Sequence, residues 1–471
     1  MKTYDIAVVG SGIGGSLISA LNRDKDLILF ERDKNLGGCA STFKKYGNLY
    51  NSGATTFVGY ENNHPIKNIF DKVNFIPDIK KSEIAIRIMQ NNKIVDRVKN
   101  FDIYLDNLNE IYPHKNNKLF WKTIKSIDEK FWNLKKLHFA KYSLNSYLKT
   151  TNSIFELFSV FGFDLLKSAD KYIEEVLPNI SKEYKAFIDA QLLITLQTTT
   201  KDISLLSLAL GLSYPFHDVF YVNGGMGTLF DGILKDTDVH NKEEIIKVIK
   251  EQDRYRVLSN KNEYLSKQVI LNSSLYNTSS LFDDEKIKKY YDSFSFSDQS
   301  AFVTYLTLDS KEDFLHHYQI ILEKEIPNSI SNSFFISFSS KDDSKLSKNG
   351  YSITISTHTK ASFWKNLSKD EYEKQKKITE DFIINHFLDN FETIKKEDII
   401  KKFSATSKTF KRYINRYNCG GRAISLKNIL QTPSSTTPFK GLYNIGDTVF
   451  AGQGWPGIAI GVQVLNKELN D

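Results

Sequence analysis

The chain opens on a short, unbroken apolar run at residues 4–9 (YDIAVV), rich in β-branched side chains. With no polar alternation, such a run predicts a strand buried on both faces of a parallel sheet. Residues 16–21 (SLISAL) then space their apolar positions as a helix does, and residues 27–30 (LILF) form a second buried strand. From about 75 to 215 the pattern is dense in helical periodicity, with core-like stripes at 188–196 (IDAQLLITL) and 205–210 (LLSLAL). Residues 244–250 (EIIKVIK) and 254–258 (RYRVL) read as a β-hairpin, followed by a strand at 268–272 (QVILN). From about 290 to 400 the pattern gives strands at 302–308, 334–338 and 351–357, then a polar helix around 372–390. Residues 442–445 make a last short strand before a glycine-rich turn and a helix from about Gly457, with Pro456 just ahead of it. This is an α/β chain: Rossmann-like strand–turn–helix units lie at both ends, with α+β insertions of mixed sheet and helices between them.

The junction of the first strand and helix carries Gly10-Ser11-Gly12-Ile13-Gly14-Gly15. Strand, glycine turn and helix in this order are the context a dinucleotide fingerprint requires. Gly10 permits the tight turn, Gly12 lets backbone approach a pyrophosphate, and Gly15 lets the helix pack on the strand. The helix N-terminus is then aimed at the phosphates. The second strand ends in Glu31, 21 residues after Gly10, where a carboxylate can accept from a ribose hydroxyl.

Three further segments carry a family resemblance. Glu31-Arg32 is followed by Gly37-Gly38-Cys39-Ala40-Ser41-Thr42-Phe43, which resembles the second glycine signature of the flavin-dependent amine oxidase and phytoene desaturase superfamily. Its GGCASTF form looks most like the carotenoid isomerase and retinol saturase branch, with Cys39 where many members carry Arg. Residues 441–469, with Gly446-Asp447 and Trp455-Pro456-Gly457-Ile458-Ala459, resemble the C-terminal FAD motif of the phytoene desaturases. Residues 221–229 (YVNGGMGTL) resemble the segment that returns the chain from the substrate domain, with Val222 where Pro is usual.

The resemblance implies a bound FAD. Gly10, Gly12, Gly14, Gly15, Glu31 and Arg32 would hold its adenosine and pyrophosphate side, and Ile245 would lie against the adenine. Gly37, Gly38, Cys39, Ala40, Ser41 and Thr42 would run along the pyrophosphate and ribityl chain. Gly446 and Asp447 would meet the ribityl-phosphate region, and Trp455, Pro456, Gly457, Ile458 and Ala459 the isoalloxazine. A helix N-terminus there would stabilise the negative charge of reduced flavin. No catalytic acid or base is named by the sequence; Trp455, Pro456 and Gly457 are candidates only by adjacency to the flavin. The implied fold is a GR2-type FAD domain (1–75, 216–285 and 400–471) with a substrate or lid domain (76–215 and 286–399) inserted.

Composition sharpens this. The chain has 33 Phe, 24 Tyr and 4 Trp against 9 Pro and 3 Met, and most of the aromatics fall in the two insertions. Beside a flavin they predict an apolar tunnel for a substrate. The net charge of +7 comes from 63 Lys and Arg against 56 Asp and Glu. Only nine of the 63 are Arg, the residue that bidentate phosphate and base readers favour, and the lysines are interleaved with acids. A nucleic-acid partner is excluded on this pattern, while attraction to an anionic membrane surface remains open.

No N-terminal address and no run of about 18 apolar residues is seen. A cytoplasmic protein with reduced cysteines is expected, with a peripheral place on the inner face of a membrane left open. His316-His317 is read as a structural pair, and no metal is expected. Cys419-Gly420-Gly421-Arg422 is a glycine loop that no apolar strand precedes, and residues 339–349 are the clearest surface loop.

The resemblance implies an FAD-dependent oxidoreductase acting on a carotenoid- or retinoid-like polyene by desaturation, saturation or cis–trans isomerisation. Two alternatives share the fold: a flavin amine or amino-acid oxidase, and a prenyl-binding protein like the GDP-dissociation inhibitors, without redox chemistry.

Overall fold

A computed structural model describes residues 2–201, 203–421 and 431–470. Arg422 of the Cys-Gly-Gly-Arg loop lies outside the described residues.

Two seven-stranded sheets organise the chain. The first is built on the opening strand, Thr3–Val9, which pairs in parallel with Leu27–Glu31 on one side and Glu263–Leu271 on the other. Asp238–Asn241 extends it beyond Leu27–Glu31, and Leu442–Asn444 pairs in parallel with the end of Glu263–Leu271. The hairpin of Ile245–Lys250 and Tyr255–Ser259 completes it in antiparallel pairing. The helices Ile13–Leu21 and Gly454–Asn470 pack side by side on one face, over a core that includes Leu17, Ile18, Ala459 and Val462. Parallel strands covered by helices must be apolar on both faces, which is why these segments read as unbroken apolar runs.

The second sheet runs in the order 399–405, 299–308, 351–360, 333–338, 317–321, 84–90 and 93–98. All of its pairs are antiparallel except His317–Ile321 with Ile84–Gln90. The helix Lys369–Asn390 buries Ile383, Ile384 and Phe387 in a core with Ile336, Phe338 and Ile353 from this sheet. A separate helical body, including Asn117–Trp132, Lys182–Leu196 and Leu205–Ser213, shares a core with Ile86 and Ile88. At its centre the fully buried Arg97 donates to the Leu212 carbonyl at 2.7 Å and to the Gln191 side chain. Its guanidinium lies 4.4 Å from the Tyr104 ring centroid and 4.9 Å from that of Trp121. Aromatic faces and hydrogen bonds thus hold a cation that is otherwise costly to bury.

The stretch expected to be helical from residue 75 begins instead with strands, Ile79–Lys81, Ile84–Gln90 and Lys93–Val98. The last two form a hairpin turned by Asn91 and Asn92 at φ of +50° and +62°, the left-handed pair that a tight two-residue turn demands. The C-terminal helix begins at Gly454, earlier than expected, so Pro456 lies within its first turn. Proline is tolerated there because that N–H has no intrahelical partner to lose. Residues 339–349 are indeed a connection, but one that is tied down. The buried Asp343 accepts from Tyr221 Oη at 2.6 Å and from the Gly224 N–H at 2.7 Å, anchoring the Gly-Gly-Met segment.

Candidate FAD and substrate site

A cavity of ≈ 1240 Å³ lies between the parallel sheet, the second sheet and the helical body. Ordinary small-molecule pockets span about 300–1,000 Å³, so there is room for a dinucleotide and a second molecule.

Its floor is the glycine turn. Gly10, at φ +99°, closes the strand, and Gly12 precedes the helix Ile13–Leu21, whose first turn has no acidic residue and no side-chain cap. The uncapped N–H groups are what an anion at a helix N-terminus needs. A Cβ on Gly15 would stand 2.0 Å from the Gly10 carbonyl oxygen, so only glycine lets helix and turn meet. A Cβ on Gly12 would stand 2.7 Å from Asn272 Nδ2. Asn272, at the end of the neighbouring strand, donates to the Gly10 carbonyl at 3.2 Å. Beside it, Ser273 lines the cavity with a buried hydroxyl that has no hydrogen-bond partner within the protein. The glycine cradle, the bare helix end and this unpartnered hydroxyl fit a pyrophosphate-bearing cofactor.

Glu31 is buried on the cavity wall. Its Oε2 accepts from Ser11 N–H at 2.9 Å and Ser11 Oγ at 2.7 Å, and its Oε1 accepts from Asp33 N–H at 2.9 Å. A carboxylate offers about four acceptor positions, so these three bonds leave one unfilled. Ile245 and Arg32 line this same end. Gly37 and Gly38 follow at φ of +102° and +57°, and a Cβ on Gly37 would lie 2.4 Å from the Phe230 ring. Cys39, Ala40 and Ser41 continue along the wall.

At the far end, Gly446, Asp447, Trp455, Pro456, Gly457 and Ile458 line the cavity. Both oxygens of Asp447 accept from Arg416, from Nη1 at 2.9 Å and Nη2 at 2.6 Å, and Nη2 lies 3.4 Å from Cys39 Sγ. Arg416 is buried; although burial opposes its charge, Asp447 and the two thiols hold its pKa well above the ordinary value. Cys39 and Cys419, the chain's two cysteines, are free thiols 380 positions apart and line the same cavity. Burial is the main influence that pushes the Cys419 thiol up to about 12, so it stays protonated at neutral pH. Trp455 packs between Phe57 and Phe230 at ring distances of 5.2 and 5.6 Å. It therefore braces the helix turn from the core side.

Three of the expected contacts are not on the wall. Gly15 and Ala459 are buried behind it, shaping the two helices. Thr42 turns to the Gly-Gly-Met segment, where its Oγ1 accepts from the Gly227 N–H at 2.9 Å. Asn272, Ser273, Arg416 and Cys419 take part without having been predicted. Asn272 was visible as the end of an apolar strand, but nothing local marks Arg416.

The opposite wall holds a polar cluster. His217 Nδ1 lies 3.1 Å from Glu61 Oε2, and its Nε2 lies 2.5 Å from Asp128 Oδ2. Burial opposes its charge, but the two carboxylates override this and hold its pKa up at about 9. His64 stacks on Trp132 at 4.4 Å between centroids, and burial, then the charge of His217, bring it down to about 4. The donor atoms of Glu61, His64 and His217 lie within 4.8 Å of one another, though both ring nitrogens of His217 already face carboxylates. His317 is buried and His316 half-buried; both face backbone carbonyls, and desolvation holds both below the ordinary histidine value.

The family model for an NAD(P)-binding Rossmann-like domain matches residues 8–73. The chain is 24% identical to the chloroplastic prolycopene isomerase of Daucus carota, over all of this chain and 80% of that protein. It is 24% identical to the all-trans-retinol 13,14-reductase of Danio rerio, over 48% of this chain and 38% of that one. An oxidoreductase from Methanosarcina mazei superposes with a TM-score of 0.68 at 15% identity, over 98% of this chain and the whole of the other. Fold and relatives together mark the chain as an FAD-dependent oxidoreductase with a Rossmann-like dinucleotide-binding domain. In sequence the chain resembles the prolycopene isomerases along its whole length and the retinol reductase over about half of it.

Proposed function

We propose that this oxidoreductase acts on a long apolar isoprenoid, a carotenoid- or retinoid-like polyene, by cis–trans isomerisation or saturation rather than by amine oxidation. The observation that carries the reading is the cavity. Beyond the cofactor wall it is bounded by Phe131, Trp132, Ile194, Leu196, Leu210 and Phe335. A cationic amine would be held by an uncommitted carboxylate; here the carboxylates Asp128 and Asp447 are each committed to a cation of the protein.

When bound, FAD supplies hydride exchange at N5. The protein's part is to hold that cofactor through the glycine cradle and Glu31, to brace the Pro456 turn with Trp455, and to align a polyene in a water-poor channel. Arg416 neutralises Asp447 in advance, so the carboxylate adds no net charge beside the cofactor. The assignment of Gly446, Asp447 and residues 37–41 to the ribityl and phosphate regions is part of this proposal, as is the division into a cofactor domain and an inserted substrate domain.

A membrane-held substrate needs a docking surface. No helix among the described residues is long and apolar enough to cross a membrane. The helix Leu144–Phe161 instead turns Leu144, Leu148, Phe155 and Phe158 to solvent, and Phe163 follows just beyond it. Phe155 is 69% and Phe163 86% exposed, an unusual display for side chains that dislike water. Lys149 lies within this stripe and Lys167 just beyond it, each also paired with a glutamate, Glu468 and Glu175.

Holoprotein reduced with dithionite and given prolycopene or all-trans-retinol in liposomes should yield a geometric isomer or dihydro product by chromatography. Peroxide release with amines, and no change in either polyene, would point to the oxidase alternative.

A further inference from the structure

Polyene isomerisation or saturation needs a proton handled inside an apolar cavity, and the opposite wall carries the groups for it. Resting on the polyene reading above, we propose that Asp128, His217 and Glu61 form a proton relay from the protein surface to the substrate cavity, with the His217–Asp128 pair as its inner, proton-delivering end.

The path is continuous. Lys99, half-exposed, donates to Glu61 Oε1 at 2.6 Å. Glu61 Oε2 faces His217 Nδ1 at 3.1 Å, and His217 Nε2 faces Asp128 Oδ2 at 2.5 Å. Asp128 and His217 line the cavity, whereas Glu61 and Lys99 lie behind them. A carboxylate only accepts, so an imidazole with a carboxylate on each nitrogen carries both protons. The remaining contacts fix it there. Trp132 Nε1 donates to Asp128 Oδ1 at 3.1 Å, and the Asp218 N–H donates to Glu61 Oε1 at 2.7 Å. Asp218 is itself paired with Lys81 and Lys99. His64, the remaining titratable neighbour, is uncharged, and its Nδ1 is buried without a hydrogen bond.

Four elements supply these residues: the turn before the helix Pro65–Lys72, the end of Lys93–Val98, the helix Asn117–Trp132 and the loop ahead of Val219–Val222. Such a constellation carries no sequence signature. It also neighbours the flavin side, because a Cβ on Gly59, two residues before Glu61, would lie 3.1 Å from Pro456 Cγ.

The step moves one proton and no other atom. A π-electron pair of the polyene forms a new C–H bond with a proton from the His217–Asp128 pair. The carbon chain takes up the positive charge. In an isomerisation the new C–H bond returns its proton to the pair after rotation about the weakened bond, with no net uptake from water. In a saturation the cation would be quenched by the hydride that reduced FAD supplies, and the relay then regains its proton from water through Glu61. The faces of Phe131 and Trp132 on the same wall favour a delocalised cation.

The test compares wild type with His217→Gln and Asp128→Asn, each as FAD-loaded protein, on prolycopene and all-trans-retinol in D2O. Wild type should place solvent deuterium in the product. Both variants should lose kcat by about 10²-fold or more, the usual scale of general acid catalysis, at unchanged KM and flavin occupancy. Histidine ring ¹⁵N spectra give a readout independent of turnover: His217 should be doubly protonated at neutral pH in wild type and singly protonated in Asp128→Asn. Deuterium-free product from an active wild type, an undiminished His217→Gln, or a neutral His217 in wild type would each overturn the relay. A wild type inert toward both polyenes, with a doubly protonated His217, would instead overturn the polyene reading on which the relay's role depends.

Discussion

Arg416 grips both carboxylate oxygens of Asp447, at 2.9 and 2.6 Å, and also reaches Cys39 Sγ at 3.4 Å. One buried guanidinium thereby ties the C-terminal glycine motif to the N-terminal one. Deleting it strands a partly buried carboxylate and removes the tie. Breaking a buried ion pair costs about 3–5 kcal/mol. Arg416→Met is expected to lose stability on that scale in urea titrations and to purify with little flavin, while Arg416→Lys, which keeps the charge but not the fork, should fall between.

Glu31 takes three hydrogen bonds from the turn it faces, two from Ser11 and one from Asp33. Glu31→Ala leaves the buried Ser11 N–H without its acceptor, a loss of about 1–3 kcal/mol, and removes the ribose acceptor as well. FAD occupancy, read from flavin absorbance per protein, should fall sharply. Gln at the same position keeps the shape and one acceptor oxygen, so it should retain more stability than cofactor.

Protonation of the histidines shapes stability on both sides of neutrality. His217 is held at about 9, above its ordinary 6.5, so its contribution is complete below about pH 6.5 and is lost as the pH rises through about 9. His64 and His316 are held down at about 4, chiefly by burial, so theirs is present above about pH 6.5 and lost as the pH falls toward 4. Urea midpoints should therefore decline in both directions. His217→Gln should lack the alkaline decline from this source and keep the acid one.

The exposed stripe around Phe155 and Phe163 predicts a separation of binding from folding. Phe155→Asp with Phe163→Asp should abolish flotation with anionic liposomes and leave Tm and flavin content within error, because neither side chain is packed in the protein.

The cofactor half of the site was legible because backbone geometry writes itself into glycines. Gly10 and Gly37 adopt positive φ, and Gly15 meets a carbonyl that would collide with any side chain. Those demands act between close neighbours in the chain. The hairpin at Ile84–Gln90 and Lys93–Val98 was also written locally, in its Asn91-Asn92 turn, yet its apolar alternation was absorbed into a helical reading of the region. Arg416 and the Glu61–His217–Asp128 cluster were not legible. Their members are brought together by tertiary folding over 31 to 156 positions, and nothing local distinguishes them from ordinary surface charges.

The central claim is that one cavity holds FAD beside an apolar substrate channel. The most direct measurement is mass spectrometry of everything extracted from gently purified protein. The account predicts equimolar FAD accompanied by an isoprenoid-sized apolar molecule; colourless protein that yields no flavin, and gains none when FAD is added, would contradict it.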